Sequence, residues 1–273
     1  MPELPEVETT ARGMSPHLVG QRIESFDLRE ARLRWPVDGE LVDSLVGVTV
    51  RSVTRRSKLM LIHLDNDQTL ISHLGMSGSW RICDPNEALK KHDHLLLTLA
   101  SGRQARYHDP RRFGSFECTA TAKLSEHPRI CGLGPEPLTD DFTAQRLFDL
   151  SRGRKGPVKA FIMDNAVVVG VGNIYATEAL FTAGIAPNRA AGRISLKRYQ
   201  ALTSEIKAVL ARAIEQGGST LRDFTNSEGQ PGYFAQTLQV YGRSGEQCVR
   251  CKSDLKTAVI GQRTSVWCPS CQR

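Results

Sequence analysis

The chain closes with CVRC, a spacer of sixteen residues, and CPSC, which crowds Cys248, Cys251, Cys268 and Cys271 into the last 26 of 273 positions. No other feature restricts the fold as tightly. Two C-x-x-C knuckles at this separation can supply four thiolates to one tetrahedral Zn²⁺, and a metal closed off by four protein ligands is structural. Between the knuckles, TAVIGQRTSVW holds two β-prone runs around GQR and is predicted to fold back as a hairpin with Arg263 at its tip. An arginine held there is placed to reach a phosphate. A redox pair is the competing use of such a knuckle, but it needs no second one. Cys83, Cys118 and Cys131 are scattered. Without a secretory signal they are expected to be small buried apolar groups, not disulfide partners.

The rest of the chain must supply its own core. A hydrophobic content of 40% supports one, and the length suits two domains. The formal charge of +7 points to a polyanion, either nucleic acid or an anionic membrane surface. No apolar run approaches the ~20 residues of a membrane span, and no signal-peptide core follows Met1. The expectation is a cytoplasmic protein whose partner is nucleic acid.

Periodicity divides the chain. LPEVETTARGMSPHL has helical spacing, with prolines early, where a first turn tolerates them. Short β-like segments follow in RIESFDLR, GVTVRSVTR, KLMLIHL, QTLISHL, HLLLTLA and GSFECT, a spacing that argues for a sandwich or barrel. The turn-rich EHPRICGLGPEPLTDD reads as a linker. Beyond it the period is helical until about Gln239, where short β-like pieces return among the cysteines. The expected division is a β-rich domain over 1–120, a linker over 121–141, a helical domain over 142–238 and a zinc finger over 239–273.

Several short motifs carry candidate chemistry. VVVGVGNIYATEALF places a tight turn before a helix whose N-terminal N–H groups, with Asn173, suit a phosphate; close helix packing is the competing reading. HDPRRFG sets Arg111 and Phe113 on a turn between strands, an apolar wedge beside guanidinium groups of the kind that unstacks a duplex. A plain surface turn with a salt bridge would look the same. HLGMSG offers Met76 on another glycine-rich turn, and Lys58 in RRSKLM is read as beginning a strand. At the other end stands MPELPEVE. Removal of Met1 would leave Pro2 as a secondary amine with a reference pKa near ~8, able to attack a carbon and form an iminium. Glu3 would lie beside it as acid or base. A frayed terminus is the alternative.

Taken together, PELPEVET, KHDH, HLGMSG, DPRRFG, VVGVGNIYATEALF, GYFAQTLQVYGR and the paired knuckles resemble the bacterial formamidopyrimidine-DNA glycosylases, in order and from end to end. The resemblance implies an α+β chain: an N-terminal helix with a two-layer β-sandwich, a helix–two-turns–helix domain, and a four-cysteine zinc finger hairpin. It implies a monomeric base-excision enzyme acting on double-stranded DNA that contains oxidised purines or abasic sites. By resemblance, Pro2 is the Schiff-base nucleophile, Glu3 the general acid/base, and Lys58 and Arg263 the partners of β- and δ-elimination. Met76, Arg111 and Phe113 match the wedge. His92, Arg111, Arg154 and Asn173 match DNA contacts, and Glu6 and Glu178 match positions near the damaged base. An endonuclease VIII-like branch prefers oxidised pyrimidines and begins P-E-G-P-E, whereas Leu4 stands here. A zinc-ribbon DNA binder would leave Pro2 and Glu3 idle, and a proline tautomerase would leave the wedge and zinc unexplained.

Overall fold

The computed structural model describes residues 2–218 and 234–273; the loop TNSEGQPGY (225–233) and the first residues of GYFAQTLQVYGR lie outside them. The chain divides into two compact units, Met1–Cys131 with Gln216–Tyr233, and Gly132–Glu215 with Phe234–Arg273.

In the first unit α1 (Leu4–Leu18) buries Leu4, Val7, Ala11, Met14 and Leu18. Their spacing of three and four draws one apolar stripe along the helix. Each such leucine or methionine contributes about 1.5–3 kcal/mol when fully buried. After β1 (Ile23–Leu28) and the one-turn α2 (Leu41–Ser44) come β2 (Val50–Arg56), β3 (Leu59–Leu64), β4 (Gln68–His73), β5 (Ser79–Cys83), β6 (Asp93–Leu99), β7 (Gln104–His108) and β8 (Ser115–Ala120). They form two antiparallel sheets, ordered β1-β6-β7-β5 and β2-β3-β4-β8. Their inner faces meet in a core that includes Phe26, Met60, Ile62, Leu70, Trp80, Leu95, Leu97, Tyr107 and Phe116.

The continuous apolar run of β3 has a simple cause. Met60, Ile62 and Leu64 face the sandwich, while Leu59 and Leu61 join Ile71 on the outer face beneath Leu124 and Ile130. The stretch read as a linker therefore begins docked. A 3-10 turn at Thr121–Glu126 leads into Arg129, whose guanidinium grips Glu117 with two bonds of 2.9 and 2.8 Å and lies 3.8 Å from the Trp35 ring centroid. Its later half belongs to the second unit, where Gly134 N–H donates to Asn165 O at 2.7 Å.

In the second unit α3 (Ala144–Ser151) is capped by Thr143, whose hydroxyl accepts from Arg146 N–H. Next come α4 (Val158–Ile162), α5 (Asn173–Thr182) and α6 (Leu196–Glu215). Ile174 through Phe181 are buried without a break, which makes α5 the central helix, and it packs against α6. The finger ends the chain with β9 (Lys256–Ile260) and β10 (Arg263–Trp267), paired antiparallel. Gly261 and Gln262 both have positive φ, 56° and 62°, the two-residue turn whose twist suits a tight hairpin. Arg263 is thus the first residue of β10, one past the tip where the sequence suggested it. One further expectation is corrected: Cys83 is buried, but Cys131 is exposed. Its segment runs over the surface beyond the last docked residue. Among the described residues no helix is long and apolar enough to cross a membrane.

Candidate active site and nucleic-acid interface

The first turn of α1 fixes the candidate nucleophile and acid. Glu3 is the N-cap; its carboxylate accepts from the backbone of Glu6, and Glu6 Oε2 accepts from Glu3 N–H at 2.8 Å. This reciprocal box satisfies two donors that a helix start leaves open. Pro2 is buried, and Glu3 and Glu6 are each 2% exposed, so the chain is packed from Pro2 onward. Helix, acid and amine share one short segment.

Lys58 is braced from the same helix. Glu8 Oε2 accepts from Arg55 Nε at 2.8 Å, and Arg55 Nη1 donates to Ser57 O at 2.8 Å. Burial alone would raise the Glu8 carboxyl, but hydrogen bonds from Arg55 and Arg12 outweigh it and hold the group below its ordinary value. Ser57 carries φ of 56°, and Lys58 stands on the turn between β2 and β3, one residue ahead of the strand that the sequence suggested it begins. His73, at the end of β4, is pushed down to about 4, first by burial and then by the charges of Arg129, Lys58 and Arg34. It is neutral at physiological pH.

The wedge candidates sit on two turns. Met76 and Phe113 are 37% and 42% exposed, large apolar side chains offered to solvent. The Arg111 guanidinium lies 4.9 Å from the Phe113 ring centroid. Arg112, with φ of 55°, turns instead to Glu30 at 3.1 Å. The geometry thus sorts the two arginines, and Arg111 is the one beside the phenylalanine. His92 is half-buried near the rings of His94 and His108, at 5.9 and 6.0 Å. Desolvation, then the charges of His108 and His94, lower its pKa.

In the second unit Asn173 opens α5, and its side chain is drawn into an internal cluster. Its Oδ1 accepts from Lys159 Nζ at 2.6 Å, and its Nδ2 donates to Thr264 O at 3.3 Å. Lys159 also donates to Ser265 Oγ at 2.7 Å and is 0% exposed. This cation ties α4, the start of α5 and β10 together one residue from Arg263. The sequence reading passed over it, although a lysine between Val158, Ala160, Phe161 and Ile162 sits on a face that should be apolar. Arg154 is exposed near the Phe161 ring, lining a groove with Lys155 and Arg193.

Glu178, expected near a damaged base, is 2% exposed, and its carboxylate accepts from Gln239, Val240 and Tyr241 N–H at 2.8–3.0 Å. It anchors the chain that enters the finger. Glu178→Ala would strand three donors, and we expect a loss of at least about 3 kcal/mol in denaturant unfolding. Faster hydrogen exchange at those three amides would localise the damage.

The four cysteine sulfurs all lie within 4.8 Å of one another. Cys248 and Cys271 are 3.9 Å apart, and Cys251 and Cys268 3.4 Å. Four ligands at the usual Zn–S length are about 3.8 Å apart at the corners of a tetrahedron, so the set fits zinc. As thiolates the four would also need a cation. Hydrogen bonds from Ser253 draw Cys251 down to about 6, whereas sulfur contacts led by Cys251 push Cys271 up to about 12. Four thiolates this close are stable together only around a dication.

Comparison with known proteins accounts for nearly the whole chain. Residues 1–116 match the formamidopyrimidine-DNA glycosylase N-terminal domain, 133–225 the H2TH domain of the same enzymes, and 245–273 the zinc finger found in FPG and IleRS. The formamidopyrimidine-DNA glycosylases of Hahella chejuensis and Pseudomonas aeruginosa are similar at 55% and 58% identity, over all of both chains. Among solved structures, a Lactococcus lactis FPG mutant in complex with Fapy-dG-containing DNA is similar at 32% identity and a TM-score of 0.93, again over both whole chains. The Lactococcus lactis Fpg with abasic-site DNA gives 32% and 0.92 over 99% of each chain.

Proposed function

Because the chain belongs to the formamidopyrimidine-DNA glycosylase family, we propose that Pro2 and Glu3 are the nucleophile and the proton-transfer group of its chemistry. The protein is a bifunctional DNA glycosylase and abasic-site lyase that acts on oxidised purines in double-stranded DNA. The observation that carries the residue assignment is the packed first turn of α1, where a capping box holds Glu3 immediately beside Pro2.

The chemistry follows from an amine and an acid. The amine nitrogen of Pro2 bonds to C1′ of the lesion nucleotide as the bond from C1′ to the base breaks. The amine proton leaves with the departing base, Glu3 supplies a proton to O4′ as the sugar ring opens, and the product is an iminium Schiff base on the open-chain sugar. Loss of a proton from C2′ expels the 3′ phosphate, and a second elimination expels the 5′ phosphate. Lys58 and Arg263 are assigned to the phosphates that leave in these two steps, and Glu6 supports Glu3 and faces the base. Glu178 acts at a distance, by holding the chain before the finger.

A base cannot be reached while it is stacked, so excision requires extrusion. Met76, Arg111 and Phe113 are assigned to the gap it leaves, and His92, Arg111, Arg154 and Asn173 to backbone phosphates. Zinc on the four cysteines fixes the hairpin that carries Arg263 and supplies no step of its own. We place the enzyme in the cytoplasm, working as a monomer.

The test is covalent trapping. With borohydride and an abasic duplex, the protein is expected to form an adduct whose mass maps to the N-terminal peptide at Pro2. Active enzyme that retains Met1, or an adduct on another residue, would overturn the assignment.

A further inference from the structure

We propose that Asp109 is the positioning residue that joins the Met76 turn and the Arg111–Phe113 turn into one wedge, so that the two enter the base stack together. The proposal rests on the functional reading above and adds a residue to it. Asp109 is 0% exposed. Its Oδ1 accepts from Ser77 Oγ at 2.6 Å and its Oδ2 from Gly114 N–H at 2.8 Å, one oxygen for each turn. Ser77 Oγ accepts in turn from Arg111 N–H at 3.2 Å, which closes a link between the turns. The Asp109 backbone is itself fixed, donating to His92 O at 3.0 Å and accepting from Arg112 N–H at 3.1 Å.

Backbone contacts support the same reading. A Cβ on Gly75 would strike the main chain of Phe113 and Gly114, so the two turns touch backbone to backbone. A Cβ on Gly114 would collide with the Tyr107 hydroxyl, which stands 3.4 Å from Asp109 Oδ2 beneath the turns. The roots are locked while the tips, Met76 and Phe113, remain exposed. A buried carboxylate is costly to retain unless its acceptors are filled, and here they are filled by donors from both turns. Side chains that push into a stacked duplex meet resistance. Two turns sharing one buried anchor resist it together.

The experiment separates wedging from chemistry. Single-turnover excision of 8-oxoguanine is measured for the full-length zinc-loaded wild type, Asp109→Asn and Ser77→Ala, on two substrates. One is an ordinary duplex; in the other the lesion sits in a one-nucleotide bulge and is already unstacked. Asparagine offers one acceptor oxygen and turns N–H groups toward a donor, so one tie is lost. Asp109→Asn is expected to slow excision about tenfold or more on the duplex and only about twofold on the bulge. Ser77→Ala, which removes the tie of Asp109 to the Met76 turn and the Ser77–Arg111 bond but keeps the tie to Gly114, is expected to show a smaller loss of the same selectivity. It carries the test by itself if Asp109→Asn does not fold. Equal losses on the two substrates, or no loss on the duplex, would overturn the proposal. Failure of the wild type on both would instead overturn the functional reading.

Discussion

Glu3→Gln is expected to lose roughly 10²–10⁴-fold in excision of 8-oxoguanine while keeping substantial strand cleavage at a pre-formed abasic site. The two activities differ in what they ask of the carboxylate. Release of a base needs a proton delivered as the sugar opens. An abasic site has already lost its base, and its open-chain aldehyde can condense with Pro2 unaided. The substitution is clean because of where Glu3 sits. As the N-cap of α1 its side chain accepts from the backbone of Glu6, and glutamine retains an acceptor oxygen of nearly the same reach. Helix stability should therefore change little while titration is abolished. Pro2→Gly, by contrast, should be impaired on both substrates, since both require the amine. Single-turnover rates on matched duplexes decide the matter. Parallel losses for Glu3→Gln would assign the residue to folding or DNA binding and remove it from the chemistry.

Cys251→Ser is expected to release the zinc and, with it, most of the DNA affinity. Structural zinc contributes about 10–16 kcal/mol of apparent binding free energy in small finger peptides. The apolar support here is slight: Phe181, Val240, Leu255 and Val266 pack around Cys248 and Cys268. So small a cluster does not hold a hairpin without its metal. Losing the hairpin would also strip Lys159 of its Thr264 and Ser265 partners and leave a buried cation with two fewer acceptors. Metal analysis should show far less than one zinc per chain, and DNA binding should weaken in parallel. Full DNA affinity in a chain without metal would refute this account.

What the sequence disclosed depended on the range of the interaction. α1 was legible because its stripe is local, and the finger because ligand spacing alone implies it. β5 and β7 were passed over, since Arg81 and Arg106 interrupt their apolar pattern. Arg106 is nevertheless 0% exposed, its guanidinium donating to carbonyls of Asp84, Pro85 and Glu87 on a neighbouring turn. A strand whose charged residue is satisfied by a distant turn hides from any periodic reading. The same holds at the site. Pro2 and Glu3 declare themselves by position, and Arg111 and Phe113 by their motif. Asp109 stands inside that motif, yet its meaning depends on Ser77, 32 residues away, and that of Glu178 on amides 61–63 residues further on. Lys159 depends on Ser265 at a separation of 106.

Among the described residues five non-glycine positions adopt positive φ, and three of them, Ser57, Arg112 and Gln262, immediately precede Lys58, Phe113 and Arg263. A left-handed backbone costs a residue with a side chain about 1–2 kcal/mol. Heat tolerance is thus surrendered at the very turns that aim the functional side chains. Selection for a hardier enzyme would gain by relaxing them, and a relaxed turn would no longer hold its neighbour's heading. Asp67, on the plain β3–β4 turn at φ 59°, shares the left-handed backbone beside no candidate residue, at the smaller cost an aspartate incurs. A lineage moving into hotter surroundings has room to change there first, and least room at Arg112.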